Sequence, residues 1–148
     1  MPYAAGDRLF AADLLDLPFA WPTWTPTLTN LTLGNGVVTA RRRVVGKTCD
    51  WRFKFKLGST SAVGTGPAFT LPFTPHGSYA APEDLMGSAL LLDAGTAQRF
   101  GSVRFLSGST VEFVSYSTTG VVTAISATVP HTWAVNDTLA AFGTFELA

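Results

Sequence analysis

The sequence holds little of the chemistry that enzymes and metal sites use. It has one cysteine, Cys49, and two histidines, His76 and His131, which are far apart in the chain. A single cysteine excludes a disulfide within the chain, and no Cys or His residues have the spacing of a zinc site. The sequence has neither a glycine-rich phosphate loop before a helix nor a Gly-x-Ser-x-Gly nucleophile motif. We therefore expect no enzymatic activity, no metal site and no cofactor.

Charged residues are also scarce, at 14% of the chain against roughly 25% in most soluble domains. The formal net charge is zero, so the whole molecule has no long-range attraction to nucleic acid or to an anionic membrane. Apolar residues make up 47%, an excess that indicates that another chain covers part of the surface. The apolar run at residues 89–92 is too short to span a bilayer.

Residues 1–20 differ in composition from the rest and are predicted to form a docking segment. Asp7 can cap a short helix that has one apolar side, and Pro18 and Pro22 favour an extended connector after it. A helix this short is marginal alone, so it must pack on a partner. Acidic residues interrupt the segment, so no secretory signal is predicted and we expect assembly in the cytosol. The predicted docking residues are Leu9, Phe10, Leu14, Leu15 and Leu17.

Residues 21–148 form the second predicted unit, a β-sandwich head. Short strands are predicted at 27–33, 37–45, 48–57, 69–73, 88–93, 99–106, 110–116, 121–129 and 138–147. Between them lie turn signals such as Gly34-Asn35-Gly36, and the Gly/Ser/Thr-rich stretch 58–67 is predicted to be a loop. This spacing is typical of an antiparallel β-sandwich, such as a jelly roll.

A basic ribbon at residues 41–56 carries seven basic residues against one acidic residue, a net charge of +6. Residues 49–57 alternate strictly, so that Trp51 and Phe53 share one strand face while Arg52, Lys54 and Lys56 share the other. A nucleic-acid groove needs aromatic and basic groups on one face, so this function is disfavoured. Two interpretations remain open: a solvated sheet face, or charge pairing with Glu112 or with acids of a neighbouring subunit.

Aromatic residues in the predicted loops are candidates for contact with sugars, because a rigid ring can pack on sugar C–H groups. His76 and Tyr79 lie in a long polar loop, and Trp133 follows Pro130-His131-Thr132. A structural interpretation competes with this one, since Trp133 can also close the end of a sandwich.

Several motifs together resemble a module of tail fibre and minor tail proteins from bacteriophages of actinobacteria. The resemblance spans about residues 21–148, from Trp24-Thr-Pro-Thr-Leu-Thr to the closing Gly143-Thr-Phe-Glu. Between these lie Arg41-Arg-Arg-Val-Val-Gly-Lys-Thr, Phe69-Thr-Leu-Pro-Phe and Val129-Pro-His-Thr-Trp. It implies a non-enzymatic virion protein with a homotrimeric β-sandwich head. Only about twenty residues precede the module, which favours a small knob on the particle over a long fibre.

The leading hypothesis is a trimeric knob in the virion, assembled in the host cytoplasm, anchored through its N-terminus to the tail or baseplate and attaching to a host-surface glycan. The alternative is a capsid decoration protein that clamps neighbouring capsomers. Both predict the chain itself and other virion proteins as partners. Nucleic-acid binding and membrane insertion are not expected. A small glycan hydrolase is the remaining, disfavoured alternative.

Overall fold

Residues 21–148 are described by a computed structural model and consist of β-strands, turns and loops. The strands are β1 Leu28–Thr32, β2 Val37–Val45, β3 Thr48–Lys56, β4 Ala62–Thr70, β5 Leu85–Asp93, β6 Ala97–Ser107, β7 Thr110–Tyr116, β8 Val122–Ala124 and β9 Thr138–Glu146. The prediction of an all-β antiparallel fold is confirmed. No helix in this part of the chain has the length and apolarity that a membrane crossing requires. The predicted docking segment, residues 1–20, lies outside the described residues, and so do its five docking positions.

The strands form one antiparallel sheet in the order β1-β4-β7-β6-β5-β9-β3-β2, and β8 pairs with the second half of β7. This sheet curls into a half-barrel, because side chains from distant strands meet inside it. The rings of Phe53 on β3 and Phe69 on β4 stack at 4.2 Å between centroids, although five steps in the strand order separate them. A division of the sheet into the two layers of a jelly-roll-like sandwich stays a prediction.

The core lies on the concave side of the curled sheet and follows from strand alternation. Trp51, Phe53 and Phe55 on β3 are at most 2% exposed, whereas Arg52, Lys54 and Lys56 between them point outward. Phe69 and Phe113 come from the other half of the sheet and contact the same cluster. Each large apolar side chain buried in this way contributes about 2–3 kcal/mol. The apolar face of β3 therefore fixes the direction in which its charges point.

The segment before β1 runs from the edge strand β2 to β4, the neighbour of β1. Its first part pairs with β2, where the Arg42 amide donates to the Pro22 carbonyl at 3.0 Å and the Trp24 amide donates to Ala40 at 3.2 Å. Its last part reaches β4, since the Thr70 amide donates to the Thr27 carbonyl at 3.1 Å. Backbone groups on the edge strand β2 are thereby satisfied in part, which protects this edge from association with another sheet.

The prediction of a loop at 58–67 is wrong for its second half, because β4 begins at Ala62. The Gly and Pro residues that suggested a loop lie where the pairing of β1 with β4 is irregular, between Thr29 and Leu31. Asn30 there has φ = 54°, and its side-chain Nδ2 donates to the Thr65 carbonyl at 2.7 Å. Pro67 lacks an N–H, but the β7 pairing starts only at the next residue, so no ladder bond is lost.

Candidate functional site

A groove of about 830 Å³ lies on the outer face of β2, β3, β9, β5 and β6. Its floor is apolar and comprises the outward side chains Leu90, Phe100, Ala140 and Phe142. Cross-strand pairing brings them together, because Ala140 pairs with Leu90 and Leu90 pairs with Phe100. The sheet register thus builds a continuous apolar surface on the side that faces away from the core.

Two aromatic side chains in this groove are unusually exposed. Phe100 is 80% exposed and Phe142 is 62% exposed, whereas Phe53, Phe55, Phe69, Phe113 and Phe145 are almost fully buried. Covering a large aromatic side chain stabilises a complex by about 2 kcal/mol or more before ordering costs. The surface is therefore suited to contact with another polypeptide segment.

One wall of the groove is basic. Arg41 on β2 and Arg52 and Lys54 on β3 line it. Within residues 21–148, none of the three forms an ion pair with an acid. The Arg52 guanidinium instead lies 4.9 Å from the ring centroid of Trp21. The chemistry of the groove, aromatic on the floor and cationic on one wall, fits an amphipathic and acidic partner.

The predicted pairing of the basic ribbon with Glu112 in the same chain is wrong. Glu112 lies on β7, directly opposite Arg104 on β6, and accepts a hydrogen bond from Arg104 Nε at 2.9 Å. Strands β3 and β7 are not neighbours in the sheet, so Arg52, Lys54 and Lys56 have no cross-strand access to Glu112. Glu112 thus forms its opposite-charge cross-strand pair with Arg104 and not with the basic ribbon. Pairing with acids of a neighbouring subunit stays a prediction.

The three predicted glycan contacts do not come together. His76 and Tyr79 lie near the end of β9, where the Glu146 amide donates to the Tyr79 hydroxyl at 3.0 Å. Trp133 lies before the start of β9, and its Nε1 donates to the Ser126 carbonyl at 2.9 Å. The length of β9, roughly 25 Å, separates the two groups. Tyr79 and Trp133 also pack against the core, which leaves His76 as the exposed member.

Near Trp133 lies a buried polar pair that sequence reasoning missed. His131 Nε2 is 3.5 Å from Asp137 Oδ2, and both side chains are at most 6% exposed. Asp137 accepts hydrogen bonds from the amides of Ala94 and Ala134, at 2.8 and 2.7 Å. It therefore ties the loop before β9 to the turn after β5. Within residues 21–148 no group of three His, Cys, Asp or Glu side chains that could hold a metal ion occurs.

Cys49 is fully buried on β3. Burial raises the pKa of its thiol to about 11, with a smaller opposing contribution from Arg42 and a small reinforcing one from Asp50. A thiol with so high a pKa is a poor nucleophile at neutral pH. This agrees with the interpretation of Cys49 as a small buried apolar residue.

Sequence reasoning also missed the groove floor, although a signal was present. In β9, Leu139, Ala141 and Phe145 alternate as inward residues, which places Phe142 on the polar side of the strand. A phenylalanine on that side of a strand is a local signal of an exposed apolar surface.

No family model, curated protein or solved structure matches this chain.

Proposed function

We propose that this protein is a non-enzymatic structural component of a bacteriophage particle, a homotrimeric β head carried on the tail or baseplate. The observation that supports assembly most directly is the outer groove, where Phe100 and Phe142 are exposed beside three cations. An exposed apolar surface bordered by charged residues is typical of a site that contacts another protein. The resemblance of residues 21–148 to the head module of phage tail proteins is the reason for proposing that this assembly is part of a phage particle.

The finer architecture belongs to the same proposal. The contact of Phe53 with Phe69 across the curled sheet supports a jelly-roll-like sandwich, with β3 and β4 in opposing layers. Residues 1–20 act as the docking segment of the head. The protein is assembled in the host cytoplasm and resides in the virion.

Attachment to a host-surface glycan is the second part of the proposal. Of the three candidate residues, His76 is exposed, and its Nδ1 lies 2.9 Å from the Ser78 hydroxyl in the same loop. A His76→Ala variant should bind purified host cell-wall polysaccharide several-fold more weakly than a Thr119→Ala variant, whose change lies in an exposed turn. Equal binding by the two variants would remove the glycan role of this loop.

The oligomeric state is tested by multi-angle light scattering on the full chain over a hundredfold range of concentration. A mass of three chains is expected. A monomer at every concentration would refute the proposed assembly.

The location is tested by quantitative mass spectrometry of purified particles of the virus that encodes the chain. A few copies per particle support the tail or baseplate. Hundreds of copies support the alternative, a capsid decoration protein that uses the same groove as a clamp. Absence from the particles would refute both.

A further inference from the structure

We propose that the groove on the outer face binds residues 7–17 of a neighbouring copy of the chain. The inference rests on the proposed function in one respect, since it requires that copies assemble. It changes one part of that proposal, because the first receptor of the docking segment becomes a sister copy instead of another virion protein.

The apolar chemistry of the two surfaces matches. The groove offers Leu90, Phe100, Ala140 and Phe142, and no described residue covers the two phenylalanines. The segment offers Leu9, Phe10, Leu14, Leu15 and Leu17. A segment of this composition is too short to hold a helix alone and gains most from an apolar surface.

The charges match as well. Residues 1–20 contain Asp7, Asp13 and Asp16 against a single base, Arg8. Residues 21–148 contain nine basic and seven acidic residues, an excess of two positive charges. The cations that line the groove are Arg41, Arg52 and Lys54, which have no acidic partner in the described part of the chain. Acids on the flanks of the segment can face this basic wall and fix its orientation.

The sizes agree. Four inter-strand spacings separate β2 from β6, so the groove is about 19 Å wide across the strands. A helix of eleven residues is about 16 Å long. Residues 7–17, if helical, would therefore cover most of the groove when they lie across the strands.

The direction of the chain at Trp21 favours a neighbouring copy over the same copy. Residues 22–24 run antiparallel to β2, with Thr23 opposite Arg41 and the Pro22 carbonyl bonded to Arg42. Moving backward from Trp24 to Trp21, the chain advances along β2 toward Val45 and away from Thr39 and Arg41, which line the groove. Pro18 and Pro22 favour an extended connector, so a sharp reversal onto the same groove is disfavoured.

Such a contact joins unlike surfaces, the segment of one copy and the groove of the next. Contacts of this heterologous type generate closed rings when the rotation between copies closes. Groove-to-groove contact about a twofold axis perpendicular to the strands would instead stack β3 on β3 and bring Arg52 and Lys54 of two copies together. The inferred contact avoids that repulsion and is compatible with a trimer.

Cysteine cross-linking of the full chain tests the contact and its source. The variant Leu14→Cys/Ser88→Cys places one thiol on the segment and one at the edge of the groove, where Ser88 is exposed. Cys49 stays in place because it is buried. Mild oxidation should give covalent species of two and three chains on a non-reducing gel. A matched control, Leu14→Cys/Thr119→Cys, carries the second thiol in an exposed turn outside the groove and should give at least fivefold less.

Two outcomes would overturn the inference. A product of one chain with an internal disulfide would place the segment on its own groove, and cross-linking no stronger than the control would place it elsewhere. Neither outcome would contradict the proposed function. That proposal is refuted by different results, namely a monomeric unmodified chain or its absence from particles.

Charge exchange gives a second readout that does not depend on disulfide geometry. The variant Arg52→Glu/Lys54→Glu should shift the assembly midpoint in light scattering to at least tenfold higher concentration. Adding Asp13→Lys/Asp16→Lys to the same chain should reverse at least half of that shift, measured on the logarithm of the midpoint concentration. An unchanged midpoint in the first variant, or a failed restoration in the second, would contradict docking of this segment in the groove.

Discussion

Gly143 lies directly beneath the indole ring of Trp51, so that a Cβ atom built at position 143 would come within 2.9 Å of Trp51 Cζ2. The same Cβ atom would overlap the Met86 carbonyl oxygen on the neighbouring strand. Gly143 pairs with Gly87, and together the two glycines make room for the largest side chain of the core. The Trp51 ring fits in the core only because positions 87 and 143 carry no side chain.

We predict that Gly143→Ala lowers the free energy of unfolding by about 2 kcal/mol or more, because backbone atoms must move to admit the methyl group. Urea denaturation of the full chain measures this change. Gly77→Ala is the control, since a Cβ atom there meets nothing within 4 Å, and it should change stability by less than about 0.5 kcal/mol. Equal stability of the two variants would show that β5 and β9 are not packed so closely.

We predict that Phe69→Ala costs about 3–5 kcal/mol, because it removes the ring that contacts Trp51, Phe53 and Phe113. The same substitution at Phe142, which is 62% exposed, should cost less than about 1 kcal/mol in the dissociated chain. Denaturation at low protein concentration separates folding from assembly. If Phe142→Ala lost more stability than Phe69→Ala, the core could not lie on the side of the sheet that carries Phe69.

We predict that Arg104→Ala destabilises the chain more than Arg43→Ala does. The Arg104–Glu112 pair leaves Glu112 only 12% exposed, so loss of its partner costs about 1–3 kcal/mol. In the Arg43–Asp50 pair the side chains are 36% and 29% exposed, and the cost should stay below about 1 kcal/mol. Double-mutant cycles on both pairs measure the two coupling energies directly, and the reverse ranking would disprove the prediction.

We predict a stability difference between the wild type and Cys49→Ala that depends on pH. The pKa of Cys49 is 9.0 without burial and about 11 in the folded state, so the folded state holds the thiol proton more tightly. This contribution is fully present below pH 9 and disappears as the pH rises toward 11. Denaturation at pH 8, 9.5 and 11 should therefore show the wild type losing stability faster than the variant. Parallel curves would place Cys49 in a more polar environment.

We predict that Asp137→Ala costs about 2–4 kcal/mol, because the amides of Ala94 and Ala134 lose their acceptors and His131 loses its neighbour. Hydrogen exchange at Ala94 and Ala134 reports the loss locally. Asp137→Asn, which keeps one carbonyl acceptor, should recover part of the stability. Unchanged exchange at both amides would exclude the proposed tie.

Much of the fold could be predicted from the sequence because β-strand alternation is strong in this chain. The predicted segments at 37–45 and 110–116 match β2 and β7, and the segment at 48–57 exceeds β3 by one residue. Glycine and proline in β4 misled the prediction, since the irregular pairing near Asn30 that tolerates them depends on β1 and cannot be read locally. The segment at 121–129 was predicted too long because the chain turns between Ser126 and Val129.

The candidate site was harder to predict because it depends on strand order. The outward direction of Arg52 and Lys54 follows from the alternation of β3 alone. Their proximity to Phe142 and Phe100 requires β9 to lie between β3 and β5, and no local pattern carries that information. For the same reason the sequence paired Glu112 with the wrong basic residues.

The place of β9 also has a consequence for biosynthesis. This strand is the last of the nine described strands, yet it bonds to β3 on one side and β5 on the other. Until residue 146 has left the ribosome, β3 and β5 each present an unsatisfied edge next to exposed core aromatics. Such non-local pairing makes folding slow and leaves the nascent polypeptide prone to aggregation. Truncated products and stalled ribosomes should therefore engage chaperones, and yields from heterologous expression should rise at low temperature.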